Sequence, residues 1–161
     1  MKARTITLAL IMLIVSVGLR AADDPQTGAW KLNVAKSKFS PGPPPKSQAV
    51  TIEPYGKDGV KLALEALNAQ GEKLTVQYSA SYDGKEYPRT ETGAGAVSGQ
   101  TVTLKRIDTH TVERIAYLGG KKLTTERWVI SQDGKTRTVT QTGTNPQGQQ
   151  VNIVMVYEKT R

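Results

Sequence analysis

The residues that could do chemistry in this chain are few and scattered. His110 is the only histidine, and none of the 161 residues is cysteine. A thiol nucleophile, cysteine-ligated zinc and a lipid-modified cysteine anchor are therefore excluded. A Ser-His-Asp hydrolase would need His110 beside an activated serine. Ser98 stands in Gly95-Ala-Val-Ser-Gly99, which is not the Gly-x-Ser-x-Gly elbow. His110 follows Asp108-Thr109 and reads as a solvated turn residue. Gly93-x-Gly95 with Gly99 superficially suggests a dinucleotide loop, but no helix follows to receive the phosphates. Glu113 and Glu126 could face one another across neighbouring strands. Such a carboxylate pair can work as general acid and base, and exposed pairs of this kind are also common on surfaces. Arg106, Arg114 and Arg127 could form a fork for an anionic head group, or an outer row of solvated charges. No cofactor motif and no cluster of metal ligands is present.

The elements that must position these residues are short strands. Ahead of them, Lys2 and Arg4, the apolar run Ile6 to Val17 and the small pair Ala21-Ala22 have the order of a secretory signal peptide. Residues 1–22 are thus expected to be a leader and 23–161 a single mature domain, exported to the periplasm or the medium. The apolar run falls short of the ~20 residues a membrane span requires, so no stable membrane insertion is expected after cleavage. Lys+Arg total 22 against Asp+Glu 14, and the basic residues are scattered. A nucleic-acid footprint would cluster them on one face, so no nucleic-acid partner is expected. Without disulfides, stability must come from a core, which a chain of roughly 140 residues can supply.

Trp30, Leu32 and Val34 alternate with polar residues, the period of a half-buried strand. Ser40-Pro-Gly-Pro-Pro-Pro45 then interrupts, because proline has no N–H for a ladder, and reads as an extended rim segment. Val60 to Leu67 would suit a helix by intrinsic preference, but its shortness and its bounding glycines favour a strand. Further alternating segments follow, punctuated by Asp83-Gly84, Gly119-Gly120, Asp133-Gly134 and Asn145-Pro-Gln-Gly148. About ten strands at spacings of roughly 8–12 residues, joined by hairpins, predict an all-β, antiparallel up-and-down barrel, since closure removes exposed edges.

Turn chemistry predicts which side chains face inward. With Asp133-Gly134 as a two-residue hairpin loop, Ile130 pairs with Arg137 and Trp128 with Val139. Thr136, Thr138, Thr140 and Thr142 then form a solvated ladder, and Trp128, Ile130 and Val139 face the interior together with Glu126, Arg137 and Gln141. Carried through Gly119-Gly120, the register predicts Ile115 and Tyr117 inside and Glu113 opposite Glu126. Carried through Asn145–Gly148, it predicts Val154 and Val156 inside, and Ile153, Met155 and Tyr157 outside. Glu113, Tyr117, Glu126, Trp128, Arg137 and Gln141 are therefore the candidate ligand-binding residues. The charged ones among them would either line a polar pocket or sit at the rim.

Gly28-Ala-Trp-Lys-Leu32 and the ending Val156-Tyr-Glu-Lys159 resemble the opening and closing strands of the calycin barrels, the lipocalins and fatty-acid-binding proteins. The Thr124-Thr125 strand leading to an Asp-Gly hairpin is similar to their penultimate strands. The resemblance implies an up-and-down barrel whose first-strand tryptophan, Trp30, plugs one end under a basic residue of the last strand, Lys159 or Arg161. With the meander and the lack of any catalytic set, it points to a small lipophilic or amphipathic ligand, bound without catalysis. The fatty-acid-binding group carries an arginine two residues before its last-strand tyrosine, and Met155 occupies that position here. Two other readings stay open: an envelope module docking a protein partner through Ile153, Met155 and Tyr157, and a barrel enzyme using Glu113 and Glu126 with Arg137.

Overall fold

A computed structural model describes residues 24–160; the leader read at 1–22 and Arg161 lie outside the described residues. The chain folds into strands β1 (Gly28–Leu32), β2 (Ser47–Pro54), β3 (Gly59–Leu67), β4 (Lys73–Ser81), β5 (Tyr87–Pro88) and β6 (Thr90–Gly93). Then come β7 (Gln100–Arg106), β8 (Thr111–Leu118), β9 (Lys121–Ile130), β10 (Thr136–Thr144) and β11 (Gln150–Lys159). A single 3-10 turn, Val34–Lys36, follows β1. Among the described residues no helix is long and apolar enough to cross a membrane.

All the pairings are antiparallel, and the first strand joins both β2 and the last strand, β11. The remaining gap, between β4 and β7, is bridged by one short segment. Its first half, β5, pairs with β7, and its second half, β6, pairs with β4. The result is a nearly closed up-and-down barrel of eleven strands. Counted as one split strand, the 87–93 segment makes ten, the number legible from the sequence. Val60–Leu67 is strand, as its length and flanking glycines predict.

One end of the barrel is packed shut. Trp30, Ile52, Val60, Leu104, Val112 and Ile130 fill it, all nearly inaccessible to solvent. The segment just before β1 seals it further. The Trp30 indole N–H donates to the Gln26 carbonyl at 3.1 Å, and the Gln26 side chain donates to the His110 carbonyl at 3.1 Å. Asp24 accepts from Arg106 at 2.9 Å and from the Tyr82 hydroxyl at 2.8 Å. Arg106 also stacks on the Tyr82 ring at 4.0 Å, a partly exposed cation–π contact. The Lys159 ammonium lies 5.1 Å from the Trp30 ring centre, and the two residues are register partners. Trp30 and Lys159 therefore stand together at the closed end.

The register between β9 and β10 is the one the Asp133-Gly134 turn predicts: Ile130 opposite Arg137, Trp128 opposite Val139. Two neighbouring registers differ from expectation by one residue each. Between β8 and β9, Tyr117 pairs with Lys122 but Ala116 pairs with Thr124, so Leu123 is an unpaired bulge residue. A bulge inverts the facing of everything beyond it. Val112, Arg114 and Ala116 consequently face inward, and Glu113, Ile115 and Tyr117 outward. Between β10 and β11 the loop spans five residues rather than four, because Thr144 pairs with Gln150. Met155 and Tyr157 thus point inward, with Ile153 packed against the core, while Val154 and Val156 turn outward.

The five-residue loop has a visible local cause. The Asn145 side-chain oxygen accepts from the backbone N–H groups of Gln147 and Gln149, and its amide donates to the Gln149 side chain. Asn68 does the same for Gln70 and Glu72 in the β3–β4 connection. Asn68-Ala-Gln-Gly-Glu72 and Asn145-Pro-Gln-Gly-Gln149 are the same loop used twice at the open end.

Gly143 makes the bulge possible. It lies opposite Thr124 with φ +129°, and a Cβ there would sit 2.3 Å from the Leu123 carbonyl oxygen and 2.9 Å from the Thr124 Cα. Gly143→Ala is expected to destabilise the barrel by about 2–4 kcal/mol, combining a left-handed backbone penalty with a backbone clash. Gly134→Ala, where φ is +70° but the space is open, should cost only the backbone part, about 1–2 kcal/mol. Urea denaturation of both variants checks this, and equal losses would show that the bulge imposes no close approach.

Candidate functional site

Above the sealed end the barrel is hollow. Side chains just fill the interior of a small barrel, and the diameter grows with strand number, so a ring of ten or eleven strands leaves room. The cavity measures about 520 Å³ and lies within the range of small-molecule sites. Its wall on β2, β3 and β4 is apolar, built from Val50, Leu62, Leu64, Ala66, Leu74 and Val76. Phe39, Pro43 and Pro45 overhang the mouth. The proline segment is thus a strap across the opening, tied down where Lys38 bridges Val154 and where Asn152 N–H donates to the Ser40 carbonyl at 2.8 Å.

The opposite wall is polar and buried. Glu126, on β9, forms a bidentate pair with Arg114 on β8, one of whose contacts is Nε to Oε2 at 2.9 Å. The Trp128 indole N–H donates to the same carboxylate at 2.7 Å. Burial alone would raise the Glu126 pKa, but the charge and hydrogen bonds of Arg114, with the Trp128 bond, hold it below the ordinary carboxylate value. Arg89 on the bridging segment pairs with Glu91, and both side chains are largely buried.

Arg137 is different. It is 2% exposed, it lies among the cavity-lining residues, and among the described residues it has no carboxylate partner. Its guanidinium stacks over Trp128 at 4.3 Å and lies 5.6 Å from the Tyr157 ring centre. Its Nε finds no hydrogen-bond partner among the described residues. Desolvation lowers its pKa, yet an arginine stays protonated in proteins, so a buried positive charge stands here without an ion-pair partner of its own among the described residues. The Tyr78 hydroxyl, also on the cavity, likewise has no hydrogen-bond partner among the described residues, and burial pushes its pKa up to about 12.

Of the residues the sequence nominated, Glu126, Trp128, Arg137 and Gln141 line this cavity. Glu126 and Arg137 are buried within the barrel rather than at its rim. Glu113 and Tyr117 do not line it. The bulge at Leu123 turns both outward, where Glu113 faces Arg127. The expected Glu113–Glu126 pair therefore does not form, and the acid–base reading built on it loses its geometry. Arg106, Arg114 and Arg127 do not converge either: one clamps Asp24 at the closed end, one pairs with Glu126 inside, and one is exposed outside. The expected outer docking trio is also displaced, since Met155 and Tyr157 are buried in the interior and Ile153 packs against it.

Arg89, Arg114, Tyr78 and Tyr157 are interior residues that parity reasoning missed. The repeated Asn-x-Gln-Gly loop was the available signal for Tyr157. Nothing as local marks Arg114. No family model, no curated protein and no solved structure matches the chain.

Proposed function

We propose that this chain is an exported, calycin-like barrel that binds a small amphipathic molecule in its interior and does no chemistry on it. One observation carries the reading: a barrel with one end packed shut and the other leading to a cavity of about 520 Å³, with an apolar wall facing a cluster of buried polar groups. A purely structural barrel of this size would gain stability by filling that space, because voids cost dispersion and burial. The leader-like N-terminus, the Gly28-Ala-Trp opening strand and the Lys159 cover on Trp30 support the calycin assignment and the exported location.

The test is gentle purification from the native compartment, followed by native mass spectrometry and organic extraction. A ligand-sized mass increment that disappears on extraction is the expected result. A barrel that carries nothing, and that binds none of a panel of charged and neutral amphiphiles, would end the proposal.

A further inference from the structure

The cavity and its flank hold three arginines and two carboxylates. Arg114 is matched by Glu126 and Arg89 by Glu91, which leaves Arg137 as the one arginine of the three without a carboxylate partner among the described residues. We infer that the ligand is an amphiphile bearing one negative charge, its head group seated on Arg137 and its apolar part lying along the β2–β4 wall toward the proline strap. This inference rests on the cavity being a ligand site, as proposed above.

Three donors on this cavity are poorly used. Arg137 makes no hydrogen bond from Nε, and its flat face is held by Trp128, which leaves the edge of the guanidinium to meet a ligand. The Tyr78 hydroxyl has no hydrogen-bond partner among the described residues. The Tyr157 hydroxyl, directly across the β10–β11 register from Arg137, accepts from the Gln48 amide and donates only to the Met155 sulfur, at 3.3 Å. A thioether is a weak acceptor, so an anion reaching that hydroxyl would take the proton's hydrogen bond readily. A guanidinium buried without a counter-ion is costly, and an anion that neutralises it gains from the same low dielectric that makes it costly.

The charge count limits the head group. One free positive charge matches a carboxylate or another singly charged anion, whereas a phosphate monoester carries about −1.5 to −2 and would bring excess charge into a buried site. The distribution of walls sets the orientation. Leu64, Ala66 and Leu74 lead from the polar floor to the mouth, where Phe39, Pro43 and Pro45 offer apolar cover.

Isothermal titration of the extracted wild-type protein with four C12 probes tests this. Dodecanoate is expected to bind at least about 30-fold more tightly than dodecanol, the minimum loss for truncating a buried charge pair. Dodecyl phosphate should bind more weakly than dodecanoate, and dodecyltrimethylammonium should not bind. Arg137→Met should abolish the preference for dodecanoate over dodecanol while dodecanol binding persists. Equal binding of dodecanoate and dodecanol by the wild type would overturn the anion inference and leave the ligand-site reading standing. Tighter binding of dodecyl phosphate would overturn the single-charge limit. An unchanged dodecanoate preference in Arg137→Met would overturn the seat on Arg137. Should that variant fail to fold, Arg137→Gln takes its place in the same comparison.

Discussion

Glu126→Gln is expected to destabilise the protein by about 3–5 kcal/mol, the cost of leaving one buried charge of a pair unmatched. The substitution keeps the shape of the side chain and its bond from the Trp128 indole, but strips Arg114 of its counter-charge. Arg114 is buried and pairs with no other carboxylate among the described residues, so no second ion pair replaces the lost one. Arg114→Met combined with Glu126→Leu should recover most of the loss, because removing both charges also removes their desolvation cost. Urea midpoints of the single and double variants measure this. A single variant as stable as the wild type would mean that water reaches the pair.

The same pair makes an acid-side signature. Glu126 is held below its ordinary value of 4.5 in the folded protein, so its contribution is complete above that value. Stability should then fall as pH drops through the lowered folded value, where the carboxyl finally takes its proton. Asp24, lowered by its bonds from Arg106, Gln26 and Tyr82 against the opposing effect of burial, adds to the same trend. Glu126→Gln should flatten its part of the acid slope.

Trp30→Ala is the second large effect, at about 3–5 kcal/mol for deleting a fully buried indole. Trp30 is 1% exposed and ties β1 to the sealing segment through the Gln26 carbonyl. Trp30→Phe keeps most of the apolar volume but leaves that carbonyl without its donor, and should cost about 1–3 kcal/mol. Trp30 is absent from the cavity lining, so the probe affinities of the folded fraction should stay unchanged in Trp30→Phe. A selective loss of dodecanoate binding there would couple the closed end to the ligand floor.

Some of this design is plain in the chain. Alternation at period two announces strands, Gly-containing turns announce hairpins, and a meander of that length must close or expose its edges. The Asp133-Gly134 turn is specific enough to set the β9–β10 register, which places Trp128, Val139 and Arg137 in the interior. The chain by itself thus determined the barrel, the hairpin at its centre and the most consequential charge within it.

The partners of that charge were decided by the tertiary structure. In a strand, one extra residue exchanges the inner face for the outer. At Leu123 a bulge does so, and it exchanges an outward Arg114 for an inward one. The choice between the two faces turns on contacts distant in sequence: Val112 against Trp128, Arg114 with Glu126, and the close approach that only Gly143 permits. At Asn145 a fifth loop residue brings Tyr157 inside, against Arg137. At Asn145 the loop's own side-chain bonds, from the Gln147 and Gln149 N–H groups, already favour five residues. The closed barrel enforces both choices, because one register buries the charges with their partners and aromatics around a cavity and the other leaves them facing away from one another.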